Sequence, residues 1–374
     1  MAEPLQVEQI AIDALGAPER DAWAALRAAN PALAHPYFDP RYAEAAAEAP
    51  HARLAVLHRG GEIFGLFPFQ KRGGLIQPLG APLSDYHGVI AAPDAAIDLP
   101  ALTRALGGRA LRAGGWMGPA TGAARSPRVR MVCDLSGGPE ALAAAFEARD
   151  HKFCKNMRRN QRGIERDHGP VTFHWEERDP AVLDWIIARK RAQYARTRRH
   201  DVFRCGWTAR LLHRLLETAT PEFGLRVTAL RAGDGDIVAA EASLQGDGVL
   251  HLWFPAYAEA YRRYGPGTLH VRQQLEAAAR AGLKLADFGC GEESYKSTFA
   301  EPAGEVLEIS CTRPLAAAAA RALDHHAPAP VRRFAGSVGR RLDIINACET
   351  RPAGWISGAL AAAGAAARPR AQGA

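Results

Sequence analysis

Few features of this 374-residue chain would fasten a fold covalently. Its six cysteines, Cys133, Cys154, Cys205, Cys290, Cys311 and Cys348, stand far apart. With no CxxC pair and no Cys/His spacing suited to zinc, they argue against a disulfide framework and a structural metal site. The opening residues carry Glu3, Pro4 and Glu8 where a secretory leader needs a basic stretch and an apolar core. Long apolar runs are missing too. A membrane-spanning helix needs about 18 such residues, and the nearest stretch, 356–367, is shorter and mostly Ala and Gly. These absences predict a cytoplasmic protein, with peripheral attachment at the inner membrane the one membrane contact left open.

What is present suits a globular chain. Hydrophobic residues make up 48% and charged residues 23% of it, and its length allows two domains of ordinary size. Lys and Arg exceed Asp and Glu by 47 to 40, and the net charge of +7 favours anionic ligands without naming one. After about Pro314 the composition turns to Ala, Arg and Pro and apolar periodicity is lost. Residues from Ala327 on are therefore expected to form a poorly ordered or loosely docked tail.

Two segments share one plan. Residues 53–70 read as a strand, a Gly-Gly turn and a second strand, preceded by helical stretches at Trp23 to Asn30 and Arg41 to Glu48. Residues 226–245 repeat this around Gly233-Asp234-Gly235, after helical stretches at Ala181 to Tyr194 and Thr208 to Thr218. A tandem repeat of one α/β unit accounts for both. Between them, Arg149 to Arg166 places Lys155, Arg158, Arg159, Arg162 and Arg166 on one helical stripe and Phe153, Met157 and Ile164 on another. That cationic face is either a solvated surface or an attractor of a polyanion, such as a nucleotide-sugar diphosphate, RNA or an anionic membrane. A second cluster lies at Arg189 to Arg191.

Beyond the second hairpin, a β-rich run from Gly248 to Phe254 leads to Arg262, Arg263, Tyr264, Gly265, Pro266, Gly267 and Thr268, then a helix to Ala281, a Gly282 stop and a strand from Leu283 to Phe288. This is a crossover unit whose helix opens at glycines. The first turn of a helix carries unpaired N–H groups and the positive end of its dipole. Small residues there let a diphosphate approach.

Arg262-x-x-Gly265-x-Gly267 resembles the R/Q-x-x-G-x-G/A turn of the GNAT superfamily. Asp287 to Phe299 (DFGCGEESYKSTF) resembles the DFG-x-G-x-x-x-YK-x-x-F stretch of CelD/BcsL-like GNAT acetyltransferases, as do Pro82 to Val89 and Trp253 to Tyr257. The resemblance runs from about Trp23 to Ile309. It implies an α+β chain of tandem GNAT-like domains, similar to FemAB-type transferases, each a mixed β-sheet flanked by helices. The expected division is a degenerate first domain over 1–140, an acyltransferase domain over 141–314 and the tail over 315–374. Acetyl-CoA or another acyl-CoA would be the donor, held at Arg262 to Thr268, without a metal.

Direct acyl transfer from a thioester needs a general base, a polarised carbonyl and a proton for the leaving thiolate. No G-x-S-x-G elbow suggests a covalent route. Glu241 interrupts a small, apolar strand and is the leading base, or else lies on a solvated face. The CelD-like pattern often carries His at this position, and His251 on the neighbouring strand is the reserve. The resemblance makes Tyr295 the general acid; Lys296 beside it is read as an anion contact, or else as a solvated surface lysine. Asp85, Tyr86 and His87, in a loop of the first half, are expected to bind the acceptor, together with Trp253 and Asp287. The predicted reaction is N- or O-acylation of an anionic or sugar acceptor in exopolysaccharide or cell-envelope synthesis, with no DNA partner. FemAB-like transfer from aminoacyl-tRNA and a non-catalytic GNAT scaffold are the alternatives.

Overall fold

The computed structural model describes residues 5–118, 120–233, 235–291, 295–312 and 328–366. It forms two compact units, one of Met1–Pro127, Gln193–Leu211 and Val306–Ala374, the other of Arg128–Ala192 and Leu212–Glu305. The sequence reading placed consecutive domains with boundaries at 140 and 314. Here both units collect separated stretches, and the divisions fall inside strands and helices.

In the first unit β1 (Gln6–Ile10), β2 (Ala52–Arg59), β3 (Glu62–Arg72) and β4 (Leu75–Pro78) form an antiparallel run. A parallel pairing of β4 with β6 (Ala110–Trp116) follows, and β13 (Glu301–Thr312) closes on β6 antiparallel. Short β5 (Ile90–Ala91) pairs with β3. The β2–β3 turn is Gly60-Gly61, both at positive φ, the conformation a two-residue hairpin needs. Helices α1 (Ala17–Ala29), α2 (Pro40–Ala45) and α3 (Leu99–Ala105) accompany this sheet, whose core includes Leu57, Phe67, Phe69, Leu102, Leu111 and Trp116.

The second unit repeats the plan. Strands β8 (Val171–His174), β9 (Gly224–Ala232), β10 (Asp236–Gly246) and β11 (Val249–Tyr257) are antiparallel, β11 pairs parallel with β12 (Leu285–Cys290), and β7 (Ala124–Asp134) closes on β12 antiparallel. Each parallel pair is joined by a crossover helix, α3 in the first unit and α8 (Pro266–Arg280) in the second. The repeat expected from the two hairpins therefore extends to the order and sense of six strands. Helices α4 (Gly138–Arg149), α5 (His151–His168), α6 (Pro180–Thr197), α7 (Trp207–Glu217) and short α9 (Lys296–Phe299) complete the set. The core holds Ile164, Leu230, Val238, Leu250, Leu275 and Phe288, each fully buried aliphatic or aromatic side chain contributing roughly 1.5–3 kcal/mol.

α5 is the amphipathic helix expected. Asp150 caps it by accepting from the Phe153 N–H at 2.8 Å, and Gly169 ends it at φ 89°. Met157 and Ile164 are buried, while Lys155, Arg158, Arg159, Arg162 and Arg166 are exposed.

The tail expectation needs correction where it falls on described residues; 315–327 and 367–374 lie outside them. Ala329–Cys348 forms α10 and Pro352–Ala366 forms α11. Gly358 packs so closely that a Cβ there would meet Ile345 at 3.2 Å, the approach that small residues permit. α10 is bonded to the body of the first unit. Its Cys348 carbonyl accepts from the Trp207 indole at 3.0 Å, and the Asp343 carbonyl accepts from the Gln77 amide at 3.1 Å. Alanine-rich composition, read as disorder, here serves close helix packing.

Candidate functional site

Parallel pairing of β11 with β12 runs from Val249↔Leu285 to His251↔Asp287 and stops. Beyond it β11 continues to Tyr257 paired with β10, while β12 continues to Cys290, which pairs with Arg130 of β7. The two strands part at His251 and Asp287 and leave a wedge. Just beyond His251, β11 carries a register shift that leaves Trp253 unmatched between Leu252↔Ser243 and Phe254↔Ala242. Bulges of this kind re-aim side chains next to sites.

The helix after β11 starts where the sequence puts it. Gly265 sits at φ 60° and ψ 52°, the left-handed region that glycine adopts without strain, and Pro266 opens α8. The Thr268 hydroxyl donates to the Gly265 carbonyl at 2.8 Å, and the Leu269 N–H reaches the same carbonyl at 3.3 Å. The N–H groups of Gly267 and Thr268 find no partner among the described residues. A Cβ built on Gly267 would meet nothing within 4 Å, so its surface is open. Two unpaired amides and the helix dipole favour an anion at this point.

The neighbouring cations are already engaged. Arg262 pairs with Glu259 at 2.9 Å, and Arg263 pairs with Asp167 at 2.9 Å while its guanidinium lies 4.7 Å from the Tyr264 ring centre. The Tyr264 hydroxyl donates to Asp167 at 2.5 Å. Hydrogen bonds from Arg166 and Tyr264 hold the Asp167 carboxyl well below the usual carboxylate range. These residues brace the turn on α5, leaving backbone amides as its open donors.

Glu241 is 1% exposed, and neither of its oxygens has a hydrogen-bond partner among the described residues. Burial pushes its carboxyl up to about 8, against the pull of Lys190, His251, the Trp253 backbone and Lys296. The reading of a solvated strand face is thereby corrected. His270 on α8 lies 4.0 Å away, and Gln274 donates to Ser243 at 2.9 Å, so this face of β10 is covered by α8. Burial lowers His270 to about 4 and keeps it neutral, with Thr228 2.9 Å from its Nε2.

His251 and Asp287 are fully buried at the vertex of the wedge, Nδ1 3.6 Å from Oδ1. Asp287 also accepts from the Gly289 N–H at 2.7 Å and lies 3.5 Å from Arg130 Nε. Asp287, expected to touch the acceptor, faces His251, Gly289 and Arg130 within the protein. Lys296 is buried, Trp253 and Tyr295 are half-buried, and Tyr295 packs 6.5 Å from the Phe288 ring. His251, the Trp253 backbone and Lys296 thus lie within electrostatic reach of Glu241, with Asp287 at His251 and Tyr295 preceding Lys296 in the chain.

Asp85, Tyr86 and His87 belong to the first unit. Asp85 is exposed, but Tyr86 and His87 are buried. Tyr86 meets the His35 ring edge-on at 4.7 Å, and the His87 backbone bridges to Gly115 and Met117. Burial lowers His87 to about 4, so it offers no cation to an acceptor. Sequence reading missed His270 and Arg130, and it placed Lys190 in the basic cluster of Arg189 to Arg191 and not beside Glu241. A lone histidine on the apolar stripe of α8 was a usable signal for the first; nothing local marked Arg130.

Residues 151–297 match the family described as Acetyltransferase (GNAT) domain. No curated protein matches the chain. Among solved structures, FemX is 12% identical over 83% of this chain and 99% of its own, with TM-score 0.48. A tandem GNAT protein from the clavulanic acid biosynthesis pathway is 13% identical over 82% and 98%, with TM-score 0.45. A GCN5-related N-acetyltransferase from Sphaerobacter thermophilus is 12% identical over 82% and 95%, with TM-score 0.43. The family match spans α5 through the start of α9, and it takes in the wedge, the glycine turn and Glu241.

Proposed function

We propose that the chain is an acyl-CoA-dependent N- or O-acyltransferase, with acetyl the expected acyl group. Its acceptor is a saccharide or a nucleotide- or lipid-linked sugar of exopolysaccharide or cell-envelope synthesis. The observation that carries this reading is the parting of β11 and β12 at His251 and Asp287, beside a helix whose first amides are open. GNAT domains use acyl-CoA donors, and an exposed glycine turn suits a pyrophosphate. Transfer is direct. Glu241 takes the proton from the acceptor amine or hydroxyl, whose lone pair attacks the thioester carbonyl. The C–S bond then breaks, and the CoA thiolate takes a proton from the Tyr295 hydroxyl. A carboxyl near 8 is a stronger base, once ionised, than an ordinary glutamate. His251, oriented by Asp287, is the reserve base, and buried Lys296 supplies positive charge toward the developing oxyanion.

Thermal shift and calorimetric titration with acetyl-CoA test this reading. Binding should raise the unfolding midpoint by mass action. Stabilisation by charged tRNA, with no response to acetyl-CoA, would replace it with aminoacyl transfer.

A further inference from the structure

The C-terminal hairpin carries a feature that acyl transfer leaves unused. Between Pro352 and Ala366, α11 has no charged residue, and Ser357 is its only hydroxyl. A surface helix ordinarily turns polar residues outward. This one exposes Trp355 at 39%, Ile356 at 55% and Leu360 at 70%. Gly354, Gly358 and Ala362 are buried on the opposite side. The exposed arc runs from Trp355 through Ile356 and Leu360 to Ser357 and Ala361. Ser357 and Ala361 in turn line a cavity of about 460 Å³.

That cavity is cationic. Arg198, Arg199, Arg204 and Arg341 line it, against a single carboxylate, Asp201. None of the four arginines has an ion-pair partner among the described residues. Arg204 donates to the Ser357 hydroxyl at 3.1 Å, which holds one guanidinium against α11 beside the apolar arc. His200 pairs with Glu349 at 3.3 Å. Arg198 sits at φ 54°, an uncommon conformation for a residue with a side chain.

We propose that this hairpin is a docking surface for an anionic lipid bilayer, in which Trp355, Ile356 and Leu360 enter the interface and the cavity arginines take lipid phosphate. Charge complementarity selects the occupant. A purely apolar partner would leave four guanidiniums without counter-charge beside its contact, and a soluble anion would leave the apolar arc in water. A bilayer surface offers phosphate and hydrocarbon within a few ångströms of each other. At 1.5 Å per residue, α11 is roughly 22 Å long, too short to span and suited to lying in the interface plane. Trp is favoured at that depth, and the Trp355 indole N–H is already satisfied by Asn346 at 2.6 Å. This inference stands apart from the acyl-transfer reading.

Flotation of the full chain with phosphatidylcholine vesicles, with and without about one-third phosphatidylglycerol, tests it. Binding to the anionic vesicles should exceed binding to the neutral ones about tenfold or more. Ile356→Glu with Leu360→Glu should remove most of it, as should Arg198→Glu with Arg199→Glu. All four side chains are exposed, so unfolding midpoints should stay unchanged. Absence of binding to anionic vesicles overturns the proposal, as does binding indifferent to both pairs. Loss of binding only on Arg159→Glu with Arg162→Glu would move the contact to α5 and overturn it too. Displacement from vesicles by millimolar glycerol phosphate would make the cavity a soluble-phosphate pocket. A concentration-dependent dimer that Leu360→Glu dissociates would make the helix face a self-interface. Either result refutes bilayer docking.

Discussion

A carboxyl held near 8 is costly to keep, and Glu241 shows where the cost falls. Its ordinary value in an unfolded chain is near 4.5, so between about pH 4.5 and 8 the unfolded state gives up a proton that the folded state retains. Folding stability due to this group is full at low pH and is lost as pH rises through that window. Glu241→Gln should therefore gain in unfolding midpoint over the parent as pH goes from 5 to 8, with the gap closing near pH 4.5. The same substitution should lower turnover about 10²-fold or more, with little change in acyl-CoA affinity. In the parent enzyme turnover should climb with pH to a plateau above about 8, and that limb should vanish in the variant. A normal pH–rate profile in Glu241→Gln would pass the role to His251.

At the level of the element, the entry to α8 and the outer face of α5 make separable predictions. Gly267 has open space where a side chain would project, so Gly267→Val should leave the fold cooperative. It should weaken CoA binding by about 1–3 kcal/mol through steric exclusion at the helix terminus. Affinity unchanged by calorimetry would remove the turn from the donor site. On α5, Arg158 is paired with Glu147 and Arg166 with Asp167, whereas Arg159 and Arg162 are exposed without an ion-pair partner among the described residues. If the stripe holds an anionic acceptor, acceptor KM should rise with salt more steeply than donor KM, since exposed charges are screened over about 8 Å at physiological ionic strength. Arg159→Glu with Arg162→Glu should reproduce that rise at low salt. Silence of both would leave the stripe as a solvated helix face.

For the molecule as a whole, the docked hairpin changes what truncation should do. Trp207 is 2% exposed and bonded to Cys348, and Arg112 is paired with Asp343 at 2.5 Å. A chain ending at Thr312 uncovers this tryptophan and strands buried polar groups. It should lose about 3 kcal/mol or more, read by calorimetry as a midpoint lower by several degrees. A loosely docked tail would instead leave the midpoint where it was.

Local signals carried much of this protein. The paired glycines of the first hairpin, the 3.6-residue stripe of α5 and the Gly265-Pro266 entry to α8 are each set by backbone sterics or burial over a few neighbours, and they stand where the sequence put them. Single-strand context also singled out Glu241, because a lone carboxylate among alanines has few places to go. What only the tertiary structure decided depends on residues far apart in the chain. Strand β13 closes the sheet of the first unit although it follows β12 of the second, a pairing that no local pattern encodes. The burial of Glu241 under α8, the His251–Asp287 contact and the order of the C-terminal hairpin arise in the same way. Each rests on a surface supplied from elsewhere in the chain, and an alanine-rich helix without charge is stable only once such a surface covers it.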